Sequence, residues 1–330
     1  MANYLVTGAG GFIGSNVAQR LLNLGHQVVT IDNLSTGYES CIPKQCLFIK
    51  GDISDTESIE QLDNKKFDAI LHIAGQSSGE ISFEDPVYDI NSNAVSTLRL
   101  LDYAVKTNCQ RFIYASTMSV YGQQEHKEQF SEQDSVRPKS FYAVGKLASE
   151  HYLRIYKEQY GIDYTALRYF NVYGAGQNLN NLKQGMISIY LKQFIDDNFK
   201  EVEVKGSVER FRDFSHVDDV AEVSIEAINN QNFYNEIINI GTGKKTNIQT
   251  ILSLMKTYLD SNKEIIISEG TPGDQFGIYA DISKLKAIYP KDFMSFELGL
   301  KKMIIDIESL WNVECGKLFF CKYAINNELC

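Results

Sequence analysis

Asn3-Tyr4-Leu5-Val6-Thr7-Gly8-Ala9-Gly10-Gly11-Phe12-Ile13-Gly14 decides the fold. Asn3 to Val6 is a short apolar run of the kind a buried parallel strand shows. The glycines follow at once. Phe12 to Leu24 then carries apolar residues at Phe12, Ile13, Val17, Leu21, Leu22 and Leu24, close to helical spacing. Gly25 ends that helix, and Gln27 to Ile31 reads as the next strand. The glycines therefore sit between a strand and a helix, where backbone N–H groups can approach a pyrophosphate at a helix N-terminus. Their spacing is Gly8-x-x-Gly11-x-x-Gly14 rather than G-x-G-x-x-G. Asp32 closes the second strand, near the ~20-residue offset of the acid that binds a ribose 2′-hydroxyl. A carboxylate there repels a 2′-phosphate, which favours NAD over NADP. The plainer alternative is a glycine-rich connecting turn with a solvated Asp32.

The alternation continues. Asp52 and Ile53 follow a strand at Leu47–Lys50, and Asp52 suits either an adenine amino group or a helix N-cap. Phe67 to Ala74 and Gln110 to Ser116 read as further buried strands. Strands alternating with helical segments predict a doubly wound parallel α/β sheet. With 330 residues and 44% hydrophobic residues the chain can bury a large core in one domain or two interlocked ones. The net charge of −10 argues against a nucleic-acid or anionic membrane partner. No apolar run approaches the ~18 residues of a membrane span, and the chain opens without a basic segment, so a cytoplasmic protein is expected. The six cysteines (41, 46, 109, 315, 321 and 330) show no metal-ligand spacing and are expected to be reduced thiols.

Tyr142 and Lys146 lie four residues apart in a stretch, Phe141 to Gln159, that reads as helix, so they share a face. A phenol has a pKa of ~10 and is a poor base at neutral pH. A nearby ammonium, together with a positive nicotinamide ring, would stabilise the phenolate. Thr117 ends the strand Arg111–Ser116, where a doubly wound sheet opens its ligand crevice. Taken alone, Tyr-x-x-x-Lys equally fits a solvated helix face.

These segments occur in a particular order. After Thr7–Gly14 come Asp32-Asn33-Leu34-Ser35-Thr36-Gly37, His72-Ile73-Ala74-Gly75-Gln76, Asn93, Ser116-Thr117-Met118-Ser119-Val120-Tyr121-Gly122 and Tyr142 with Lys146. Leu167-Arg168-Tyr169-Phe170-Asn171-Val172-Tyr173-Gly174, Arg212-Asp213-Phe214, Val217-Asp218-Asp219-Val220 and Asn239-Ile240-Gly241-Thr242-Gly243 complete the set. In this order the chain resembles the extended short-chain dehydrogenase/reductase family, and within it the nucleotide-sugar epimerases and dehydratases, from residue 3 to about residue 290.

The resemblance implies that Tyr142 is the base, Lys146 its electrostatic partner and ribose ligand, and Thr117 the assisting hydroxyl. It implies NAD contacts from Gly8, Gly11, Phe12, Ile13, Gly14, Asp32, Asn33, Ser35, Thr36, Gly37, Asp52 and Ile53. Further along, Ala74, Gly75, Gln76, Asn93, Ser116 and Tyr169 join them. Ser77, Ser78, Met118, Ser119, Asn171, Arg212 and Asp274 would meet the nucleotide-diphosphate sugar, with UDP as the expected base. An arginine fork suits a diphosphate, although Arg212 could instead pair with Asp213 or Asp218, and the polar residues after the strand could simply cap a loop.

Family dehydratases carry Asp-Glu after the threonine. Here Met118 and Ser119 stand there, and neither transfers a proton as a carboxyl group does. The expected reaction is 4-epimerisation through a transient 4-keto sugar. Epimerisation at C2, reduction or dehydration of a nucleotide sugar, and a non-catalytic dinucleotide-binding regulator are the alternatives. Thr271 stands where many relatives have arginine, and Ile278 falls near a position that gates 2-acetamido sugars. Residues 1–173 with about 213–241 would form the NAD-binding domain, and about 174–212 with 242–330 the substrate lobe. Val87–Lys106 and Phe141–Tyr160 resemble the family's dimer-forming helices, which predicts a homodimer. No metal site is expected.

Overall fold

A computed structural model describes residues 1–63, 65–270 and 276–313, with side chains to residue 307. The strands are β1 (Asn3–Thr7), β2 (Gln27–Asp32), β3 (Leu47–Lys50), β4 (Ala69–His72), β5 (Arg111–Thr117), β6 (Gln129–Phe130), β7 (Asp163–Tyr169), β8 (Asn171–Tyr173), β9 (Glu201–Lys205), β10 (Phe211–Arg212), β11 (Phe214–His216), β12 (Glu236–Ile240), β13 (Thr246–Asn247), β14 (Glu264–Ser268) and β15 (Gly277–Ala280). The helices are α1 (Phe12–Asn23), α2 (Thr56–Glu60), α3 (Gly79–Glu84), α4 (Pro86–Ile90), α5 (Ser96–Thr107), α6 (Phe141–Tyr160), α7 (Met186–Ile195), α8 (Val217–Asn229), α9 (Ile248–Tyr258), α10 (Ser283–Ile288) and α11 (Phe296–Val313).

Seven strands form one sheet in the order β12-β7-β5-β4-β1-β2-β3, every pair parallel. The expected doubly wound Rossmann sheet is therefore present. Its strands alternate between two cores: Tyr4 and Val6 pack with α1 and α8 residues such as Val17, Leu21 and Val220. Leu5, between them, faces the other way with Leu100, Phe112, Tyr114 and Leu153. The order reverses at β1, whose neighbours are β2 and β4, and this switch point is where ligands bind such sheets. A third core, including Phe194, Val202, Ile251, Met255 and Met303, joins α7, α9, α11 and the β9–β14 pair.

Several boundaries move. Expected strand 67–74 shrinks to Ala69–His72. The expected continuous helix 87–106 is α4, a π-helical turn at Asn91–Val95, and α5. Within 213–241, β12 joins the main sheet, whereas β11 pairs with β8 outside it. The expectation of reduced thiols holds at Cys46 and Cys109 and fails at Cys41, which is buried and disulfide-bonded. Cys315, Cys321 and Cys330 lie outside the described residues, as do Thr271 to Asp274. No described helix is long and apolar enough to cross a membrane, and the described residues hold no cluster fit for a metal ion.

Candidate active site

The glycine turn is built by close approach. Gly8 has φ 77°, and a Cβ there would lie 2.8 Å from the backbone of Ala74. A Cβ on Gly14 would lie 2.2 Å from the Gly8 carbonyl oxygen. Gly11 starts α1 without a side-chain cap, and the first turn holds no acidic residue. The positive end of the helix thus opens on the crevice with uncapped N–H donors. Thr7 anchors the turn from beneath: its Oγ1 accepts from the N–H groups of Ile73 and Ala74, both at 3.1 Å, and lies 2.9 Å from His72 Nδ1.

Asp32 ends β2 at this turn, accepting from Gly10 N and Leu34 N at 2.8 Å each. Burial raises its pKa, and those two bonds work against the rise. Asp52 accepts from Ser54 N, Ser54 Oγ and Asn33 Nδ2. Burial opposes its ionisation, but these bonds prevail and lower its pKa. Asp55, not Asp52, stands at the N-cap position of α2, and its side chain makes no capping bond. Of the residues expected to contact NAD, Gly8, Gly11, Phe12, Ile13, Gly14, Asp32, Asn33, Ser35, Thr36, Gly37, Asp52, Ile53, Ala74 and Gly75 line a single crevice at the switch point. The segment 176–184 closes one side: Asn178 Nδ2 donates to the Tyr38 hydroxyl at 3.2 Å, and Gln184 Nε2 to Ser77 Oγ at 2.7 Å. A glycine cradle that any Cβ would fill, a helix N-terminus and a carboxylate at the strand end fit a dinucleotide.

Helix α6 is set by Ser140, whose Oγ accepts from Ala143 N, and stopped by Gly161 in the left-handed region. It carries Tyr142 and Lys146 to the end of β5. The Tyr142 phenol lies beside Thr117, whose side chain favours the ionised form. Thr117 Oγ1 accepts from Ser119 N at 3.1 Å, in the short turn that holds Met118 and Ser119. The expected mutual tuning of phenol and ammonium differs in detail. Lys146 Nζ donates to the Ala115 carbonyl at 2.9 Å and sits over the Tyr114 ring, 4.9 Å from its centroid. Burial pushes the Tyr142 phenol up to about 12, against the effect of Thr117, and Asp89 adds to the rise. Burial draws Lys146 down to about 8, and Asp89 opposes that. The chain's own groups therefore leave the phenol protonated at neutral pH, burial being the largest cause.

The remaining expected residues lie around this centre with other partners. Gln76 turns inward, donating from Nε2 to Asp89 Oδ1 at 2.8 Å and to the Ser78 carbonyl at 2.7 Å. Ser78 caps α3, so the loop-capping alternative describes it. Asn93 is buried and donates to the Gln76 carbonyl at 3.0 Å. Ser116 Oγ donates to Glu150 Oε1 at 2.5 Å, and the Tyr169 hydroxyl lies 2.8 Å from Ser224 Oγ. Asn171 Nδ2 donates to the Asp213 carbonyl at 3.3 Å and points at Met118 Sδ, 3.6 Å away. Arg212 is 6% exposed and donates to the Phe211 and Phe276 carbonyls. Burial lowers its pKa to about 10, and Arg210 adds to that. Asp213 and Asp218 take other partners: Asp213 accepts from Thr242, Gly243 and Ala280, and Asp218 binds Arg20 and Lys302. Ile278 is buried beside Phe170 and Met118. Asp274 lies outside the described residues.

Two charged residues escape a reading of the sequence. Glu150 and Asp89 sit on helices, where carboxylates ordinarily mark a solvated face, yet both are buried. Spacing gave a faint signal: Glu150 falls one turn after Lys146, on the face that meets the sheet.

Residues 4–241 match the NAD dependent epimerase/dehydratase family. A putative UDP-glucose 4-epimerase of Methanocaldococcus jannaschii is 32% identical over 91% of this chain and 96% of its own length. The structure of a UDP-glucose 4-epimerase of Thermotoga maritima with UDP-glucose superposes with a TM-score of 0.89 at 32% identity, covering 93% of this chain and 99% of that one. A UDP-N-acetylglucosamine 4-epimerase of Methanobrevibacter ruminantium superposes with a TM-score of 0.86 at 30% identity, over 94% and 99%. The glycine turn, Asp32 and the Thr117–Tyr142–Lys146 group thus stand in a chain that belongs to the NAD dependent epimerase/dehydratase family, an enzyme whose cofactor is NAD.

Proposed function

We propose that this enzyme inverts C4 of a UDP-activated sugar through a transient 4-keto intermediate. The observation that carries this reading is the placement of Tyr142 beside Thr117 at the mouth of β5, with Met118 and Ser119 as the residues that follow. Bound NAD supplies a ring that accepts a hydride from C4 and gives it back, and its positive charge favours the phenolate. Tyr142 takes the proton of the C4 hydroxyl as the C4–H bond breaks and the carbonyl forms. Thr117 hydrogen-bonds the same oxygen. Return of the hydride to the opposite face and of the proton from Tyr142 completes the inversion. Neither Met118 nor Ser119 can protonate a leaving hydroxyl, so the keto sugar is not committed to elimination. Relatives named for UDP-glucose, UDP-glucuronate and UDP-N-acetylglucosamine support a UDP-sugar.

In this reading residues 1–173 with about 213–241 bind NAD, about 174–212 with 242–330 bind the nucleotide sugar, Asn171 and Arg212 hold its diphosphate, and Asp274 is a further substrate contact. The exposed apolar side chains of Val87 and Ile90 on α4, and of Phe141, Val144 and Ile155 on α6, support a homodimer formed through those helices. A cytoplasmic location is in keeping with this reading. The test is proton NMR of the sugar after incubation with UDP-glucose, UDP-N-acetylglucosamine and UDP-glucuronate. Appearance of the C4 epimer of one of them is expected. A 4-keto-6-deoxy product, or no change in any, would overturn the reading.

A further inference from the structure

We infer that Asp89 is the fixed counter-charge of Lys146, a positioning residue for the reaction proposed above. Asp89 is 1% exposed on α4. Its Oδ1 accepts from Gln76 Nε2 at 2.8 Å and from Asn93 Nδ2 at 3.2 Å. Its Oδ2 is buried and accepts no hydrogen bond, and the same is true of Asn93 Oδ1. Two unpartnered acceptors in one buried place are costly unless a cation faces them.

Two glycines point to Lys146 as that cation. A Cβ on Gly75 would lie 2.5 Å from Asn93 Oδ1 and 3.1 Å from Lys146 Nζ, so the amide oxygen and the ammonium flank the same backbone atom. A Cβ on Gly145, the residue before Lys146, would lie 3.6 Å from Asp89 Oδ2 and 3.2 Å from Asn93 Cβ. The missing side chains at 75 and 145 let α4 and the π-helical turn 91–95 press against α6 here. Such turns recur at functional sites because they re-aim side chains.

Lys146 has three donors, and Ala115 takes one. The titratable groups around it are His72 from β4, Tyr114 from β5, Tyr142 one turn earlier on α6, and Asp89. His72 is kept neutral by burial and by Lys146 itself. Burial raises both phenols. Asp89 is the acidic group of this cluster: burial raises its pKa, and Gln76, Lys146 and Asn93 work against that rise. Its attraction opposes the burial that draws Lys146 down to about 8. Without it burial would draw the lysine down further.

The test is an NMR titration of the NAD-bound protein labelled with 13Cε-lysine, the Lys146 signal being identified by its loss in Lys146→Arg. Wild-type Lys146 should titrate near 8. In Asp89→Asn the inflection should move down by about one pH unit or more, with bound NAD, measured after denaturation, unchanged. Turnover of the nucleotide sugar should fall, and the alkaline limb of kcat should move the same way. An unmoved Lys146 inflection would overturn the inference. Should Asp89→Asn fail to fold, the wild-type Asp89 carboxyl carbon must show a step at the pH where Lys146 titrates, and its absence would overturn the inference. These titrations need no turnover. A chain that epimerises nothing would sink the proposed reaction and leave this pairing to be judged alone.

Discussion

Glu150 on α6 grips Arg168 on β7 with both carboxylate oxygens, at 2.9 and 2.6 Å, and neither side chain is more than 3% exposed. Ser116 donates to the same carboxylate, and the guanidinium lies 4.8 Å from the centroid of Tyr121. The pair fixes the helix that bears Tyr142 and Lys146 to the strand ends that bear Thr117 and Tyr169. Glu150→Ala leaves a buried arginine without its partner, at a cost of about 3–5 kcal/mol. Denaturant unfolding should show a loss of that size. A loss below about 1 kcal/mol would mean that the pair holds nothing in place.

Tyr142→Phe removes the phenol and leaves the ring. Turnover should fall by about 10²–10⁴-fold while the NAD content of the purified protein stays unchanged. Thr117→Val should lower kcat less and leave NAD equally bound. Steady-state kinetics with nucleotide content measured alongside checks both. A Tyr142→Phe enzyme with full activity would remove Tyr142 from its role.

Much of this was legible in the sequence, and the exceptions share a physical cause. Parallel strands buried on both faces give unbroken apolar runs, so β1 and β2 could be read with their turns. The glycines at 8 and 14 stood out because a Cβ at either would run into backbone. Phe67–Ala74 ran long because the residues after His72 turn toward the ligand crevice while remaining apolar. The break in 87–106 left no trace, since Asn91–Val95 holds neither proline nor glycine. Asp89 and Glu150 were invisible because a buried carboxylate differs from a solvated one only by its partners, which come from distant strands. The position of Lys146 relative to Tyr142 was likewise open: helical spacing puts both on one face but does not say which acceptor the ammonium takes.

Gly14→Ala should abolish NAD binding with little effect elsewhere. Its Cβ would lie 2.2 Å from the Gly8 carbonyl oxygen, so the turn itself must shift. Isothermal titration of the NAD-free protein should detect no binding, and thermal stabilisation by NAD should vanish. Normal affinity in this variant would show that the cofactor does not rest on the turn.

Asp218 joins α1, α8 and α11 by binding Arg20 at 2.6 Å and Lys302. Burial alone would raise its pKa, but the neighbouring His216 and the ion pairs to Lys302 and Arg20 hold it well below the usual carboxylate range. A carboxyl group whose pKa is depressed by folding stabilises the protein above its unfolded pKa, ~3.9. That stability is lost as pH falls toward the folded value. Asp218→Asn should therefore lower stability at pH 7 by about 1–3 kcal/mol and flatten its decline below about pH 4. Urea unfolding at pH 7 and at pH 3.5 measures both. Equal losses at the two pH values would contradict the charge-based account.

The most direct test of the central claim follows a hydrogen atom. The wild-type enzyme is given whichever nucleotide sugar it accepts, deuterated at C4, and the epimer is examined by NMR and mass spectrometry. The account predicts a product inverted at C4 that keeps its deuterium there, because the hydride leaves and returns inside one closed crevice. Deuterium lost to solvent, or a product altered at another carbon, would contradict it.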